Sequence, residues 1–283
     1  MRRTRNPSVS VVIPARNEAR NLEFVLGELP YLHEVILVDG HSVDDTVAVA
    51  RRARPDIRTL DQTRIGKGNA LACGFAEATG DVIVMLDADG SADPAEIARF
   101  VEVLVDGADF AKGTRFCRDG GSEDITALRH LGNALLNGLT NVLFDTHFTD
   151  LCYGYNAFWR DVVPQLGLPA LHLPVPAGEM VWGDGFEVET LINCRAAAAG
   201  LRITEVPSVE RLRRYGDSHL NAVSDGMRVL RTILAERRRA TSRRTRIPVW
   251  KTGATVATAL PLMSRLPVES PGDEEGLTSA GAT

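Results

Sequence analysis

A run of five apolar residues in this chain ends in a closely spaced pair of acids. The segment VIVMLDADGSAD begins at Val82, and its carboxylates include Asp87 and Asp89. Carboxylates this close repel one another, most strongly where protein excludes water. A divalent cation reverses the repulsion, and Mg²⁺ or Mn²⁺ completes its shell with water and phosphate. The pair therefore predicts a metal site, Asp87 and Asp89, that faces a phosphorylated substrate; the alternative is an acidic turn before a helix capped by Asp93.

Strand and helix patterns alternate in the half of the chain that must position these acids. Strands alternating with helices of about 10–12 residues predict an α/β fold with a central, mainly parallel sheet flanked by helices on both faces. Ligands bind at the carboxyl ends of such strands, so Asp39 and Asp87 are expected at one binding edge. The predicted strands are 8–15, 34–40, 57–60, 81–87 and 108–116.

The second half of the chain predicts further elements and two distinct C-terminal segments. Helical spacing covers 125–144, 184–200 and 221–236, while 150–160 and 201–210 are predicted to be extended. Eight arginines against one acid, Glu236, follow in 228–246. We expect three parts: a catalytic domain over 1–220, an amphipathic helix with an Arg-rich segment over 221–246, and a short apolar stretch with a disordered tail over 247–283.

Composition excludes several classes of protein. The formal net charge of −5 argues against a general nucleic-acid binder, and the four scattered cysteines form no CxxC pair. No run of about 20 apolar residues encodes a membrane span, and the apolar run before Pro14 is too short for a signal peptide. We therefore expect a cytoplasmic protein. The Arg-rich segment is either a solvated helix end or a contact with anionic lipid at the inner face of the membrane.

Eight motifs together carry a specific resemblance. They are VVIPARNEARNL, VILVDGHSVDDT, GKGNAL, DVIVMLDADG, KGTRF, TDLCYGYNAF, FEVET and EVPSVERLRRYGDSHL, spread over roughly 8–220. Their order and spacing resemble the family 2 glycosyltransferases of the GT-A fold. Within that family the GTRF, TDLCYGYNAF and EVP motifs are most similar to those of the dolichyl- and polyprenyl-phosphate sugar transferases.

The resemblance implies a donor site for a nucleotide-diphosphate sugar. Asp87 and Asp89 would hold Mg²⁺ or Mn²⁺ against the diphosphate, with Arg115 near the phosphates. Lys67 begins a helix after a Gly-containing turn, which is a favourable place for anionic groups. Pro14, Arg16, Glu18 and Asp39 would hold the nucleoside. The full set of residues expected to bind the donor is Pro14, Ala15, Arg16, Glu18, Asp39, Lys67, Asp87 and Ala88.

The resemblance also implies an acceptor site. The residues expected at an acceptor phosphate are Arg129, Arg213 and Ser218. Arg213 and Ser218 also match the loop that closes over the site. A phosphate monoester is largely ionised at neutral pH and needs no general base. A sugar hydroxyl would need one, for which Asp150, Asp184 and Glu189 are candidates. The expected catalytic residues are Asp89, Arg115, Asp150, Asp184 and Glu189.

The sequence therefore predicts a metal-dependent, inverting glycosyltransferase. It would move a hexose from a UDP- or GDP-sugar to a polyprenyl phosphate or a related acceptor. The first alternative is a family 2 transferase acting on a sugar hydroxyl, and the second is a non-catalytic nucleotide-sugar binding protein. The donor base, the sugar, the acceptor and the oligomeric state stay open at this stage.

Overall fold

The computed structural model describes residues 3–176, 178–216 and 222–244. Strands and helices alternate strictly through the first half of the chain, as the sequence predicts. Seven elements make up this half: β1 (Val9–Ala15), α1 (Ala19–Glu28), β2 (Glu34–Asp39), α2 (Thr46–Ala53), β3 (Arg58–Asp61), α3 (Lys67–Glu77) and β4 (Val82–Met85).

The second half is more mixed and contains the longest helices. A single turn of 3₁₀ helix at Pro94–Glu96 leads into α4, and the Asp93 side chain accepts a hydrogen bond from the Ala95 amide at 2.9 Å, so the predicted cap is confirmed. The elements are α4 (Ile97–Val105), β5 (Phe110–Thr114), β6 (Gly121–Ser122), α5 (Ala127–Phe144), β7 (Asn156–Trp159), α6 (Val163–Leu166), α7 (Val188–Ala198), β8 (Ile203–Pro207), β9 (Val209–Glu210) and α8 (Ala222–Arg244).

One sheet organises the molecule, with strand order β3-β2-β1-β4-β7-β5-β8. Every neighbouring pair is parallel except those made by β7, which runs antiparallel to β4 and β5. The chain crosses back over the sheet between β3 and β4. Because such crossovers are right-handed, α1 and α2 lie on one face and α3 on the other. The predicted mainly parallel sheet with helices on both faces is confirmed.

The central strands are buried on both faces, which explains their continuous apolar sequences. Val11, Val12 and Ile13 of β1 have no exposed surface. Helix α3 packs close to this strand because residue 74 is glycine: a β-carbon there would lie 2.3 Å from Cγ1 of Val12. All four cysteines carry free thiols, of which Cys73 and Cys194 are buried.

The strand ends set the binding edge. Ala15 at the end of β1 pairs in register with Asp39 at the end of β2, so both loops leave the sheet at the same level. Strand β4 is parallel to β1 and brings the turn with Asp87 to the same edge. This edge is therefore where the predicted donor-binding residues meet.

Helix α8 carries the Arg-rich segment as far as Arg244 and packs against α5 and α7. Its Glu236 is 3% exposed and accepts two hydrogen bonds from Arg195 of α7, at 2.8 and 2.9 Å. Trp182 donates to the same carboxylate at 3.1 Å. The division of the chain at residue 220 stays a prediction, and 245–283 lies outside the described residues. Across the part that the structure describes, no helix has the length and apolarity of a membrane span.

Candidate active site

The two acids of the opening motif lie in a tight turn after β4. Gly90 has φ +77°, a conformation that favours glycine, and this lets the chain reverse directly after Asp89. Oδ1 of Asp89 accepts hydrogen bonds from the amide of Ser91 at 3.0 Å and from its hydroxyl at 2.8 Å. The Asp89 carboxylate is therefore held in one orientation, and Oδ2 is directed away from Ser91.

Lys67 connects the first acid of the motif to helix α7. Its Nζ lies 2.7 Å from Oδ1 and 2.9 Å from Oδ2 of Asp87, and 2.5 Å from Oε1 of Glu189. Glycine at 154 makes room for this cluster, since a β-carbon there would lie 2.4 Å from Oε1 of Glu189. The structure thus brings three of the predicted site residues together: Lys67, Asp87 and Glu189.

The pKa values in this cluster are shifted by burial and by the neighbouring charges. Burial alone lowers the pKa of Lys67, but the charges of Asp87 and Glu189 outweigh it and raise the pKa above its ordinary value. Burial raises the pKa of Glu189; the charge of Lys67 opposes that shift, and the charge of Asp87 adds to it. Lys67 is accordingly a cation at neutral pH.

Asp39 offers an unpaired acceptor at the predicted nucleoside site. Its Oδ2 accepts a hydrogen bond from the Ser42 amide at 3.0 Å. Its Oδ1 is buried and has no hydrogen-bond partner among the described residues. A buried unpaired acceptor is costly, so this atom calls for an N–H or O–H donor from a ligand. Asp39, which the resemblance places at the nucleoside, is therefore suited to bind such a donor.

The first loop of the edge is tied to the neighbouring loop and carries the other predicted nucleoside residues. Pro14 and Ala15 end β1, and Arg16 is exposed. The Glu18 amide donates to the Thr46 hydroxyl at 2.9 Å. A β-carbon at Gly40 would lie 3.1 Å from Cβ of Arg16, so glycine lets the ends of β1 and β2 approach closely. Ala88, between the two acids, is buried.

Arg213 joins the nucleoside side of the edge to the acid pair. Its Nη2 contacts Oε1 of Glu18, its Nη1 lies 3.8 Å from Oδ2 of Asp89, and its Nε donates to the Tyr215 carbonyl at 2.9 Å. The Tyr215 amide in turn donates to Oδ1 of Asn21 at 3.0 Å. The loop that carries Arg213 therefore lies across the edge, as expected for a closing loop. Ser218, its other predicted residue, lies outside the described residues.

Arg115 and Asp150 form a buried ion pair. Nε and Nη2 of Arg115 donate to the two oxygens of Asp150 at 2.7 and 2.9 Å, and Nη1 donates to Glu210 at 2.9 Å. Asn133 of α5 also donates to Asp150, at 3.2 Å, and Asp150 has no exposed surface. Burial alone lowers the pKa of Arg115, but these acids outweigh it and raise the pKa. In this arrangement neither side chain is free for the predicted catalytic role, and we assign the pair to positioning.

Asp184 has a comparable partner that sequence reasoning missed. Nε and Nη2 of Arg64 donate to its two oxygens at 2.7 and 2.8 Å, and Asp184 has no exposed surface. The Asp184 backbone carbonyl accepts hydrogen bonds from the amides of Gly68 and Asn69, at 2.7 and 3.2 Å. It therefore provides an acceptor for two N–H groups at the start of α3 that have no partner within the helix. Asp184 thus fixes the helix turn that carries Lys67, and this geometry favours a structural role over the predicted catalytic one.

Arg129 lies in the first turn of α5, which Thr126 caps. Its Nη1 donates to Oδ2 of Asp124 at 3.0 Å, and its side chain is 26% exposed. The guanidinium is only partly covered and remains able to meet an anion. Its role at an acceptor phosphate stays a prediction.

The acid pair suits a metal ion that a substrate helps to coordinate. Within the described residues, no group of three or more His, Cys, Asp or Glu side chains could hold a metal by itself. Asp87 and Asp89 remain 36% and 24% exposed, and among the residues that the structure describes Oδ2 of Asp89 has only the long contact with Arg213. Mg²⁺ is bound in this way, by one or two carboxylates and the phosphates of a substrate. These two residues therefore fit Mg²⁺ or Mn²⁺.

Comparison with known proteins identifies relatives over most of the chain. The family described as Glycosyl transferase family 2 matches residues 10–167, more than half of the chain. An undecaprenyl-phosphate mannosyltransferase of Micrococcus luteus is 30% identical over 223 residues, which are 75% of this chain and 87% of that protein. A polyprenol monophosphomannose synthase of Mycolicibacterium smegmatis is 29% identical over 223 residues, 75% of this chain and 80% of that protein.

A solved structure supports the same conclusion at the level of the fold. Glucosyl-3-phosphoglycerate synthase from Mycobacterium tuberculosis, in complex with Mn²⁺, UDP and glucosyl-3-phosphoglycerate, superposes with a TM-score of 0.61 and 23% identity. The match covers 82% of this chain and 80% of that chain. The expected GT-A fold is confirmed. By sequence match and by fold, the chain belongs to glycosyl transferase family 2 and is a glycosyltransferase.

Proposed function

We propose that this protein transfers a hexose from a UDP- or GDP-sugar to a polyprenyl phosphate, with inversion at the anomeric carbon. The observation that carries the proposal is the arrangement at the sheet edge. There a partly exposed acid pair, Asp87 and Asp89, lies between two internal cations, Lys67 and Arg213. The same edge carries Oδ1 of Asp39, which has no hydrogen-bond partner among the described residues. The relatives named as mannosyltransferases and mannose synthase support a lipid-phosphate acceptor.

The donor half of the proposal follows from charge and hydrogen bonding. Oδ1 of Asp39 would accept the ring N–H of uracil or guanine, which both bases offer. Asp87 and Asp89 would hold Mg²⁺ or Mn²⁺, which supplies positive charge to the departing diphosphate. Lys67 and Arg213 would bind the donor's phosphate oxygens through charge-assisted hydrogen bonds. A structural neighbour was crystallised with Mn²⁺ and UDP, which supports this assignment.

The acceptor half follows from the state of the three candidate bases. Asp150 and Asp184 are fully buried, and an arginine engages both oxygens of each. Glu189 contacts the Lys67 ammonium. In this arrangement Asp150 and Asp184 cannot take a proton from a sugar hydroxyl, and Glu189 cannot do so while Lys67 holds it. An acceptor that is already ionised, such as a phosphate monoester, needs no such base, so the geometry favours phosphate over hydroxyl.

Helix α5 supports an acceptor that is presented by a lipid surface. Leu128, Leu131, Leu135 and Val142 are 64%, 59%, 68% and 84% exposed and fall on one side of the helix. The opposite side of α5 carries Asn133, which bonds to Asp150 next to Arg115. An exposed apolar stripe of this kind marks a protein or membrane contact. We propose that it contacts the bilayer, so that the enzyme is a peripheral membrane protein.

The test is direct transfer by the purified full-length protein. Incubation with UDP- and GDP-hexoses, Mn²⁺ and a short polyprenyl phosphate in detergent is expected to yield a glycolipid detected by mass spectrometry. The matched control is Asp87→Asn with Asp89→Asn, which should yield none. Transfer to a saccharide hydroxyl only would overturn the acceptor half. Nucleotide binding without turnover of any donor would instead indicate a binding protein.

A further inference from the structure

The Lys67 ammonium binds Asp87, one of the two carboxylates that fit a metal ion. The ammonium contacts both oxygens of Asp87, at 2.7 and 2.9 Å, and Oε1 of Glu189 at 2.5 Å. Mg²⁺ binds carboxylate oxygens at about 2.0–2.1 Å. An ion at that distance from Asp87 would lie close to the ammonium, and two positive charges at such separation repel strongly where water is scarce. Lys67 and a divalent ion therefore compete for Asp87.

The cluster of Lys67, Asp87 and Glu189 contains two carboxylates and one ammonium, so its contacts leave a net negative charge. Two carboxylates, Asp87 and Glu189, share the single ammonium of Lys67. The Lys67 and Glu189 side chains are only 14% and 17% exposed, so solvent screens their charges weakly. Without the ammonium, the two carboxylates would face one another unbalanced and would attract a divalent cation more strongly.

The Lys67 side chain can leave Asp87 without any change in the fold. Its helix turn is fixed by the Asp184 carbonyl, which accepts the amides of Gly68 and Asn69. The side chain itself is a flexible four-carbon stem with a point charge at its end. A diphosphate bound beside the acid pair would offer this charge new anionic partners within reach. The exchange then needs rotation about side-chain bonds only.

We propose that Lys67 makes metal binding conditional on the donor. Its ammonium holds Asp87 until the donor's diphosphate draws it away, and the carboxylate that it releases then binds the metal. Nucleotide and metal consequently bind cooperatively, and each raises the affinity for the other by the same factor. The inference rests on the proposed function, since it requires a donor that carries a diphosphate.

Arg213 does not bind Asp89 as Lys67 binds Asp87. Its Nη1 lies 3.8 Å from Oδ2 of Asp89, beyond hydrogen-bond distance, and its Nη2 contacts Glu18. It therefore leaves Asp89 largely available. The competition is concentrated on Asp87, and Lys67 is the residue to change.

The test measures Mn²⁺ binding by the six-line electron paramagnetic resonance signal of the free ion, with and without UDP or GDP. Wild type is expected to bind Mn²⁺ weakly alone and about tenfold or more tightly with the matching nucleotide. Lys67→Met is expected to bind Mn²⁺ alone about tenfold more tightly than wild type, and to lose most of the enhancement by nucleotide. Arg202→Met, which removes an exposed cation paired with Asp109 outside the cluster, should behave as wild type.

Each outcome separates this inference from the proposed function. If Lys67→Met binds Mn²⁺ alone no better than wild type, or keeps the full enhancement by nucleotide, the exchange is wrong although the enzyme can still be a transferase. If wild type binds no nucleoside diphosphate with Mn²⁺, the proposed function fails first. Thermal unfolding establishes that the variant is folded. Lys67→Gln, which is neutral but retains hydrogen bonding, is the second variant with the same expected loss of enhancement.

Discussion

Arg64 holds both carboxylate oxygens of Asp184, from a position 120 residues earlier in the chain. The same guanidinium donates to the Ala170 and Leu171 carbonyls at 3.0 and 2.9 Å. One buried arginine thus joins the turn before α3 to the loop that precedes α7. Lys67 and Glu189 stand at the starts of those two helices, so this pair determines how the cluster around Asp87 is assembled.

Breaking the Arg64–Asp184 ion pair is expected to lower the free energy of unfolding more than it lowers the turnover of the folded protein. Asp184→Asn leaves the Arg64 charge buried without its partner, and such a loss costs about 3–5 kcal/mol. The free energy of unfolding from urea titration measures it. Turnover per folded molecule should fall far less than in Asp89→Asn. A stable Asp184→Asn protein without turnover would instead identify Asp184 as a catalytic acid or base.

Asp89→Asn is expected to abolish most turnover while it preserves the fold. Asp89 is 24% exposed, and its Oδ1 bonds to Ser91 can be made by an amide oxygen as well. The lost charge is one that would hold the metal, so kcat should drop about 100-fold or more, in the range seen when charge stabilisation is removed. Donor turnover with saturating Mn²⁺ measures it. Unchanged kcat would contradict the metal assignment.

Charges placed on α5 are expected to release the protein from membranes. Leu131→Glu with Leu135→Glu alters two side chains that are 59% and 68% exposed, so the free energy of unfolding should change little. Sedimentation with vesicles that contain anionic lipid should show a loss of binding. Val43→Glu, at a 92% exposed apolar residue of the loop between β2 and α2, is the control. Equal losses in both proteins would remove α5 from the proposal.

Acid is expected to destabilise the fold through Glu34. Burial raises the pKa of this carboxyl, but hydrogen bonds from Ser10, Thr79 and Arg58 outweigh it and lower the pKa from 4.5 to about 2. A carboxyl whose pKa is lower in the folded state contributes stability above pH 4.5, and the contribution is lost as the pH falls towards 2. Glu34→Gln should therefore be less stable than wild type at neutral pH.

Urea unfolding at several pH values between 6 and about 3 measures this difference. The gap in free energy of unfolding between wild type and Glu34→Gln should narrow as the pH falls through that range. A gap that stays constant with pH would mean that the hydrogen bonds of Glu34 stabilise its protonated form equally well. In that case the charge of Glu34 has no part in acid stability.

The sequence was sufficient for the elements and for the edge where they meet. The alternating pattern predicts β1 to β4 and their helices, and the Asp93 cap with Pro94 behind it is found as expected. These features can be predicted because they are local. A capping side chain forms its hydrogen bond within a few residues, and a run of apolar residues indicates a buried strand. Glu189 lies beside Lys67 in the cluster with Asp87, and its catalytic role stays a prediction.

Long-range polar pairing was beyond what one sequence could predict. Arg115 and Asp150 are 35 positions apart, and no spacing rule joins them. Helix α5 was predicted, but its buried face was not. It buries Asn133 and Asn137 because the adjoining loop needs amide partners: Oδ1 of Asn137 accepts the Leu151 amide at 2.8 Å. Polar side chains therefore share the buried side of α5 with Leu136, Leu139 and Leu143, while Leu128, Leu131 and Leu135 are exposed.

Position 154 accepts a hydrogen atom and nothing larger. A methyl group on that backbone would collide with Glu189 at 2.4 Å and reach to 3.5 Å from Asp87, and it has no rotamer by which to move aside. Any redesign of this edge must therefore leave this glycine untouched, because a larger residue would push Glu189 out of its contact with Lys67.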